Sequence, residues 1–445
     1  MDIDAAPTSL AHGSKDLKEL VAGGLEEARR RSLGLLEPVP DPDLVRQHSP
    51  IMSPLVWDLA HVGNYEEIWL LETVAGLRAG TTNYDDLYDA FRHARADRPA
   101  LPLLGPAEAR TYIASVRGKV LDVLEGIELD PARRLLRSAY VYGMVLQHEH
   151  QHDETMLATL QLMEGEGYRP SAPSPPRGRP VEPAEVLVQG GPFVMGTDVE
   201  AWAFDNERPA HTVDVPPFYM DTAPVTNRAY LAFVEDGGYD DPRLWSEAGW
   251  AHRRKAGLTA PQFWRKECEG VWTRLRFGWR EDLPLNQPVC HVCWYEADAF
   301  ARWAGKRLPT EAEWEKAASS APGQETAKRR YPWGDADPTP ERANLGQRHF
   351  GPAPVGAYPE GASPWGCVQM IGDVWEWTSS DFLPYPGYEW FPYQEYSSVF
   401  FGPEYKVLRG GSWATHPAAI RTTFRNWDLP IRRQIFAGFR CARDA

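Results

Sequence analysis

A chain of 445 residues, 43% of them hydrophobic, exceeds the size of a single core, so at least two domains are expected. Its net charge of −15 argues against nucleic acid and anionic membrane surfaces as partners. It has no apolar run near the roughly 20 residues of a membrane span, no signal-peptide pattern, and only five scattered cysteines. These features predict a soluble cytoplasmic protein and leave its oligomeric state open.

Residues 16–165 are predicted to form four long amphipathic helices. The first covers KDLKELVAGGLEEARRRSLGLLE, and the second begins with Ser53 as N-cap and Pro54 as the first helical residue. The third runs through AEARTYIASVRGKVLDVLEGI, and the fourth begins near Asp130 and carries three histidines. Four such helices favour a four-helix bundle, which builds metal sites from inward-facing side chains.

The rest of the chain has a different pattern. Residues 166–185 are rich in proline and are predicted to be a semi-rigid linker. From 186 to 445, short apolar runs alternate with Gly, Pro and Asn, and helices are expected in TNRAYLAFVEDGG and YEADAFARWAG. The segment 381–405 is too long for a passive connection and is a candidate site loop. The chain is therefore predicted to be α+β and multidomain.

Three histidines point to a metal site. His148 and His152 are four residues apart and share an apolar face of the fourth helix, and His61 lies in an apolar run upstream. This combination favours a metal site with open positions over isolated buried histidines. The spacing does not choose among zinc, iron, copper and nickel. His150 is expected to point to the opposite side of the helix.

Acidic residues accompany these histidines. Glu149, Asp153 and Glu154 are expected to be solvated surface charges or to orient the imidazoles. Asp58, three residues before His61, is a further candidate for orienting an imidazole.

A C-x-x-C spacing at Cys290 and Cys293 suggests a zinc or redox site, but no second pair completes it. We interpret both residues as buried thiols in an apparent strand, QPVCHVCWYEA.

Motifs along nearly the whole chain resemble the ergothioneine-biosynthesis sulfoxide synthases. WDLAH and HEHQHDETM resemble the DinB-like helical bundle. The second half resembles the formylglycine-generating-enzyme/sulfatase-modifying domain, a C-type-lectin-like fold, through GGPFVMG, DNERPAH, PVTN, RLPTEAEWEKAA, YPWG, GDVWEWT, VLRGGSW and FRNWDLPIRRQIFAGFRCA. The common order of so many motifs makes the resemblance specific, whereas either domain alone hosts other activities.

The resemblance implies a mononuclear iron(II) held by His61, His148 and His152. It also implies an O2-dependent reaction that joins a thiol to C2 of the imidazole of hercynine, Nα-trimethylhistidine, and gives a sulfoxide. Three neutral ligands would leave the metal with positive charge and with open positions for substrates.

The resemblance also assigns the residues that bind hercynine. Trp427 matches the family residue that meets the quaternary ammonium, a group recognised by aromatic faces, although core packing is the ordinary role of such a tryptophan. Asn426, Gln151 and Tyr396 are implied to help hold this substrate. Tyr393 matches the catalytic tyrosine, which can supply a proton or a hydrogen atom and so steer oxygen away from simple thiol oxidation.

For the thiol, the resemblance implies γ-glutamylcysteine. Its carboxylates would be bound by Arg95, Arg98 and Arg432, and its ammonium by Asp428. Without the family match, Arg95 and Arg98 would be interpreted as a solvated face or as salt-bridge partners. The second domain is expected to place its residues over the open face of the metal.

Other functions remain possible from the sequence. One is a selenoneine synthase, or a cysteine-using synthase of the same fold. Two other activities are disfavoured. Ovothiol-type synthases usually carry an added methyltransferase domain, and formylglycine-generating enzymes use a cysteine pair where this chain has Arg425, Asn426 and Trp427 ahead of Cys441. A third possibility is a lectin-like binding module without catalysis.

Overall fold

The fold is available from a computed structural model, which describes residues 14–164, 168–178, 182–268, 270–324 and 327–445. The chain divides into two compact units. The bundle unit consists of the described residues up to Arg169 together with the separate segment Phe277–Trp279. The mixed unit consists of Pro170–Arg276 and Arg280–Ala445. Helices dominate the first unit and short sheets with helices build the second, which confirms the α+β multidomain class. No helix in the described ranges is long and apolar enough to cross a membrane.

In the part of the bundle unit that the structure describes there are four long α-helices, with one short α-helix between the first two. They are α1 (Ser14–Leu36), α2 (Asp41–Val45), α3 (Leu55–Glu66), α4 (Pro106–Gly126) and α5 (Tyr140–Leu162). Helix α3 continues as a π-helical stretch, Glu67–Thr73, and a 3-10 helix covers Arg95–Ala100. The apolar residues of each helix face the others, since Leu25, Leu59 and Val145 are almost fully buried.

The predicted N-cap of the second helix is wrong. The carbonyl oxygen of Pro54 accepts the first intrahelical bond, from the amide of Trp57 at 2.9 Å, so Pro54 is the N-cap and Leu55 the first helical residue. Ser53 is buried and its hydroxyl oxygen accepts a hydrogen bond from Arg98 Nη1 at 2.5 Å. Its side chain is therefore used to hold an arginine.

The fourth helix begins ten residues later than predicted. The Asp130 carboxylate accepts a bond from the amide of Ala132 at 2.8 Å, which closes a turn. Ser138 and Ala139 have φ angles of 51° and 55°, a left-handed conformation that an α-helix does not accommodate. Helix α5 therefore starts at Tyr140.

A buried ion cluster joins all four long helices. Arg29 of α1 donates to Glu149 of α5 and Glu66 of α3, with both N–O distances 2.7 Å. Arg117 of α4 donates to the same two carboxylates, at 2.6 Å to Glu66 and 2.9 Å to Glu149. Burial opposes ionisation of Glu149, but the two guanidinium groups hold its pKa well below its usual range. Each helix contributes one charge, so the cluster fixes how the helices are turned relative to one another.

The described residues of the mixed unit form four small sheets. Its strands are β1 (Glu185–Val188), β2 (Gly191–Met195), β3 (His211–Val215), β4 (Phe218–Asp221), β5 (Trp264–Cys268), β6 (Val271–Arg276), β7 (Trp279–Asp282), β8 (Trp375–Phe382), β9 (Gly402–Arg409), β10 (Asn426–Asp428), β11 (Ala437–Gly438) and β12 (Ala442–Asp444). The strand orders are β1-β4-β12, β10-β9-β8-β11, β2-β3 and β5-β6-β7. Because β8 and β9 are antiparallel neighbours, the connection 383–401 leaves and re-enters one sheet, beside β10.

Helices α6 (Asn227–Glu235) and α8 (Trp294–Trp303) lie where the sequence predicts them, but α7 (Glu247–Ala256) and α9 (Glu311–Ser319) were not predicted. The sequence carries a signal for α9. Thr310 Oγ1 accepts a bond from the amide of Glu313 at 3.1 Å, and the Glu313 carboxylate accepts one from the amide of Thr310 at 2.7 Å. This capping box is legible as T-x-x-E in the sequence.

The predicted strand around the C-x-x-C spacing is wrong. His291, between the two cysteines, has φ 65°, and Cys293 is the N-cap of α8, so this segment turns into a helix. Both thiols are buried and neither forms a disulfide, as expected for thiols that are packed in a core. Burial raises the pKa of Cys293, so its thiol stays protonated.

Candidate functional site

The three predicted histidines lie together inside the bundle unit. His61 comes from α3, and His148 and His152 come from successive turns of α5. One ring nitrogen of each lies within 4.8 Å of those of the other two. The ring centroids of His61 and His152, and those of His148 and His152, are 4.6 Å apart. Two helices thus bring three imidazoles together, and His148 and His152 share one face of α5 as their four-residue spacing predicts.

Hydrogen bonds orient two of these rings. The Nδ1 atom of His61 lies 2.7 Å from the carbonyl oxygen of Tyr88, and that of His152 lies 2.9 Å from Asp58 Oδ1. A histidine whose Nδ1 donates to an oxygen presents its Nε2 lone pair to a metal. The expectation that Asp58 orients an imidazole is confirmed, since this buried carboxylate contacts His152 directly.

The electrostatics also suit metal binding. Burial lowers the pKa of His61 and of His148 well below the ordinary value, and the neighbouring His152 lowers both further. The rings of His61 and His148 are therefore neutral near pH 7, the form that binds metals. Among the residues that the structure describes, the buried Nδ1 atom of His148 has no hydrogen-bond partner. A set of three imidazole nitrogen donors fits a transition metal that keeps open positions.

Aromatic rings pack on both sides of the ligand candidates, a feature that the sequence analysis missed. Trp57 stacks on His61 with centroids 4.6 Å apart, and Tyr65 stacks on His148 at 3.7 Å, each with an interplanar angle of 13°. Trp57, His61 and Tyr65 are spaced by four residues and so share one face of α3. That spacing is visible in the sequence and could have revealed both rings.

Glu149 and Asp153 of the histidine motif are buried. The expectation that they are solvated surface charges is therefore wrong. Glu149 is 1% exposed and belongs to the buried ion cluster, and Asp153 is fully buried. Asp153 accepts a bond from Ser32 at 2.6 Å and lies 3.2 Å from Nδ1 of His150. This face of α5 packs on α1, so both carboxylates pair with groups of the bundle. His150 lies outside the three-histidine group, as the helical spacing predicts.

Arg95 and Arg98, which the resemblance assigned to the carboxylates of the thiol substrate, differ in their surroundings. Arg98 is buried, donates to Ser53 and to two backbone carbonyl groups, and places its guanidinium carbon 3.5 Å from the ring centre of Trp57. Burial lowers its pKa to about 10, so it remains charged near pH 7. Arg95 is exposed and donates to the carbonyl of Ile51 at 3.0 Å. Gln151 is half-buried on α5.

In the mixed unit, an aromatic group surrounds Trp427 of β10. Trp427 stacks on Phe382 with centroids 4.2 Å apart at 7°, and its ring centre lies 5.8 Å from that of Tyr396. Tyr396 stacks on Phe204 at 4.3 Å, and Tyr393 lies 6.2 Å from Tyr396 between ring centres. Trp427, Tyr396 and Tyr393 are all half-buried, so these aromatic faces are accessible in part.

The polar residues beside Trp427 pair locally. Asp428 Oδ1 lies 3.5 Å from Nε of Arg432 and accepts a bond from the amide of Leu429 at 2.8 Å. The side-chain oxygen of Asn426 accepts a bond from the amide of Trp427 at 2.9 Å. The residues that the resemblance assigned to this unit thus lie on one strand, its following turn and the 383–401 connection.

Sequence relatives identify the family. Residues 171–445 match the sulfatase-modifying factor enzyme 1-like domain, and residues 24–156 match the DinB superfamily. The chain is 52% identical over 437 residues to the hercynine oxygenase of Mycolicibacterium smegmatis, covering 96% of this chain and 99% of that protein. It is 54% identical to the hercynine oxygenase of Mycolicibacterium thermoresistibile, covering 95% and 94%. The chain belongs to the hercynine oxygenase family.

Membership in the hercynine oxygenase family makes the chain an oxygenase enzyme rather than a binding module. The chain is also 37% identical to the formylglycine-generating enzyme of Streptomyces coelicolor, but over 62% of this chain and 96% of that one. That similarity covers one domain, whereas the hercynine oxygenases match both.

The structure agrees with the absence of a formylglycine-type cysteine pair. Cys441 is fully buried, and burial raises the pKa of its thiol well above the usual value. Arg425 makes two bonds to Glu311, at 3.0 and 2.8 Å, and packs against Tyr385. Arg425 therefore lies in a buried ion pair, and the buried thiol of Cys441 stays protonated.

Replacing Asp58 with asparagine should weaken metal binding about 10–100-fold, because a neutral amide can turn its NH2 group toward His152 and no longer fixes that ring. The affinity can be measured by competition with a chelator. The matched control is Asp122→Asn, an exposed position on α4. Equal affinities for the two variants would show that Asp58 does not orient the ligand.

Proposed function

We propose that this protein is an iron(II)- and O2-dependent sulfoxide synthase. It would form a C–S bond between γ-glutamylcysteine and C2 of the hercynine imidazole, oxygenate the sulfur, and give γ-glutamyl hercynylcysteine sulfoxide. The observation that carries the proposal is the group of His61, His148 and His152 in a chain that aligns with hercynine oxygenases over nearly its full length. None of its five cysteines forms a disulfide, which supports a reducing, cytoplasmic location.

The overall reaction balances without another reductant. Dioxygen accepts four electrons, two from formation of the C–S bond and two from oxygenation of the sulfur. One oxygen atom enters the sulfoxide, and the other leaves as water with the thiol proton and the C2 proton. Iron(II) bound by the three imidazoles would supply an electron donor with open positions for the thiolate and O2.

Hercynine carries a quaternary ammonium, which aromatic faces bind by cation–π attraction. The half-buried ring of Trp427, with Tyr396 edge-on beside it, supports this role in the mixed unit. Asn426 and Gln151 are proposed as polar contacts for the same substrate.

For γ-glutamylcysteine, we assign the carboxylates to Arg95, Arg98 and Arg432 and the ammonium to Asp428. Arg98 is held by Ser53 and by the Trp57 ring, so its guanidinium is oriented before a ligand arrives. The contact between Asp428 and Arg432 keeps both charged groups of that pair near one position.

The experiment that tests the function uses the Fe(II)-loaded full chain. It is mixed without oxygen with hercynine and either γ-glutamylcysteine, cysteine or a selenium donor, then exposed to O2, and products are identified by mass. We expect sulfoxide with γ-glutamylcysteine. Faster product formation with cysteine or the selenium donor would reassign the substrate. Hercynine binding without oxygen consumption in any mixture would refute the synthase function.

We propose Tyr393 as the group that supplies a proton during oxygen reduction. Tyr393→Phe should therefore shift product from sulfoxide toward oxidised thiol while metal binding is unchanged. The readout is the ratio of the two products, and the matched control is Tyr219→Phe, on strand β4. An unchanged product ratio would remove Tyr393 from the mechanism.

A further inference from the structure

The segment 388–397 carries Tyr393 and Tyr396 and is called here the tyrosine segment. A buried carboxylate, that of Asp205, accepts hydrogen bonds from it. Asp205 is 3% exposed and belongs to the 3-10 turn Asp205–Glu207. In sequence it is more than 180 positions from the tyrosine segment, so no local pattern links them. None of the roles proposed above uses this aspartate.

Asp205 binds both ends of the tyrosine segment. At one end, its Oδ2 atom accepts a bond from the Tyr388 hydroxyl at 2.7 Å and a longer one from the amide of Phe391 at 3.4 Å. At the other end, its Oδ1 atom accepts a bond from the Ser397 hydroxyl at 2.5 Å. One carboxylate therefore closes the segment, which reduces the conformations open to the residues between.

The hydrogen-bond directions around Asp205 are determined. A hydroxyl group donates one proton. Because the Tyr388 hydroxyl donates to Asp205, its 2.9 Å contact with Ser398 requires Ser398 to donate. Because Ser397 donates to Asp205, it accepts the 3.0 Å bond from Nδ2 of Asn206. The Tyr388 and Ser397 hydroxyls thus each donate to Asp205 and accept one bond from another neighbour, so position 205 has to supply an acceptor.

Asp205 is itself held in place by its neighbours. Glu207, in the same 3-10 turn, accepts bonds at 2.7 Å from Arg421 and from Thr423, and its carboxylate also accepts a bond from the amide of Phe204 at 2.9 Å. Phe204 in turn stacks on Tyr396. The turn therefore connects the tyrosine segment to the chain leading into β10, which carries Trp427.

We propose that Asp205 is a positioning residue for the reaction: it fixes the tyrosine segment so that Tyr393 and Tyr396 are held ready for the substrates. Asp205 acts through these tyrosines and need not touch substrate. Its effect on product rests on the proposed function of Tyr393, whereas its effect on the order of the segment does not. Preorganisation of this kind is what holds catalytic groups within their productive geometry.

The test measures segment order and product together, in the Fe(II)-loaded full chain. In Asp205→Ala, amide hydrogen exchange in 388–401 should become about tenfold faster or more, as expected for loss of hydrogen bonds to a buried charge. Product should shift toward oxidised thiol, as in Tyr393→Phe, with metal binding retained. Asp205→Asn keeps one acceptor oxygen, so its exchange rate and its product ratio should lie between those of the wild type and of Asp205→Ala. Asp214→Asn, exposed on β3, is the control.

The double variant Asp205→Ala, Tyr393→Phe separates direct from indirect action. If Asp205 acts through Tyr393, the product ratio of the double variant equals that of Tyr393→Phe. Unchanged exchange in Asp205→Ala would overturn the proposal, as would faster exchange with an unaltered product ratio when Tyr393→Phe does alter it. If Tyr393→Phe has no effect, the assigned role of Tyr393 fails, and the exchange rates alone decide whether Asp205 anchors the segment.

Because Asp205→Ala removes several buried hydrogen bonds of the mixed unit at once, a milder variant completes the test. Tyr388→Phe keeps the ring and removes one donor to Asp205. We expect a smaller increase in exchange, confined to the first half of the segment, and a smaller shift in product. No change in exchange in Tyr388→Phe would also count against the anchor.

Discussion

The His148→Ala variant is expected to lose metal binding and oxygen consumption together. His148 is one of three nitrogen donors that lie within 4.8 Å of one another, and its Nδ1 atom has no hydrogen-bond partner among the described residues. Removing a ligand should cost more than the roughly 10–100-fold in affinity that removal of an orienting partner costs. The measurements are metal content after dialysis and oxygen uptake with both substrates.

His48→Ala is the matched control for this variant. His48 lies in the same unit, is half-buried, and hydrogen-bonds the backbone oxygen of Asp43, outside the three-histidine group. Both metal content and oxygen uptake should stay at the wild-type level in the control. Normal turnover by the His148→Ala variant would refute the three-histidine site, and metal loss without loss of turnover would show that the metal is not catalytic.

The Glu149→Gln variant is expected to destabilise the bundle unit by about 3–5 kcal/mol, the cost of removing one partner from a buried ion pair. The substitution keeps the shape of the side chain but leaves Arg29 and Arg117 with Glu66 as their single shared carboxylate. The resulting excess positive charge is buried among all four long helices, where water cannot solvate it. In the wild-type cluster two carboxylates balance two guanidinium groups, so no excess charge is buried.

The free energy of unfolding should be measured in metal-free protein, so that ligand loss does not contribute. Urea unfolding can be followed by far-ultraviolet circular dichroism, which reports mainly on helices, and most helical residues of the described chain lie in this unit. Glu19→Gln is the matched control, because Glu19 is exposed on α1 and pairs only weakly with Lys15; it should change stability by less than about 1 kcal/mol. A similarly small effect of Glu149→Gln would show that the buried ion cluster does not stabilise the bundle.

The sequence could predict those features that neighbouring residues determine. Helical periodicity placed His148 and His152 on one face of α5 and excluded His150, because side-chain direction along a helix depends only on position. Capping signals are equally local, and the T-x-x-E pattern at Thr310 would have located α9. Family motifs supplied the identity of the two domains, which the hydrophobic pattern alone leaves ambiguous.

Predictions failed where a distant partner decides the outcome. Glu149 was expected to be solvated or to orient an imidazole, but Arg29 neutralises it from 120 positions away in the chain. Ser53 was expected to cap a helix, but Arg98 binds it, and a proline carbonyl begins that helix instead. The start of α5 depended on two left-handed residues, whose conformation their own side chains do not favour.

The sequence by itself therefore determined the two kinds of domain, the helices of the bundle and the histidines that face its interior. Only the tertiary structure decided which charges are buried and paired, that Asp58 orients His152, and that Asp205 binds both ends of the tyrosine segment. The physical reason is the distance along the chain over which each effect acts. Periodicity and capping act over a few residues, whereas desolvation and hydrogen bonding depend on which distant groups the folded chain brings within 3 to 4 Å.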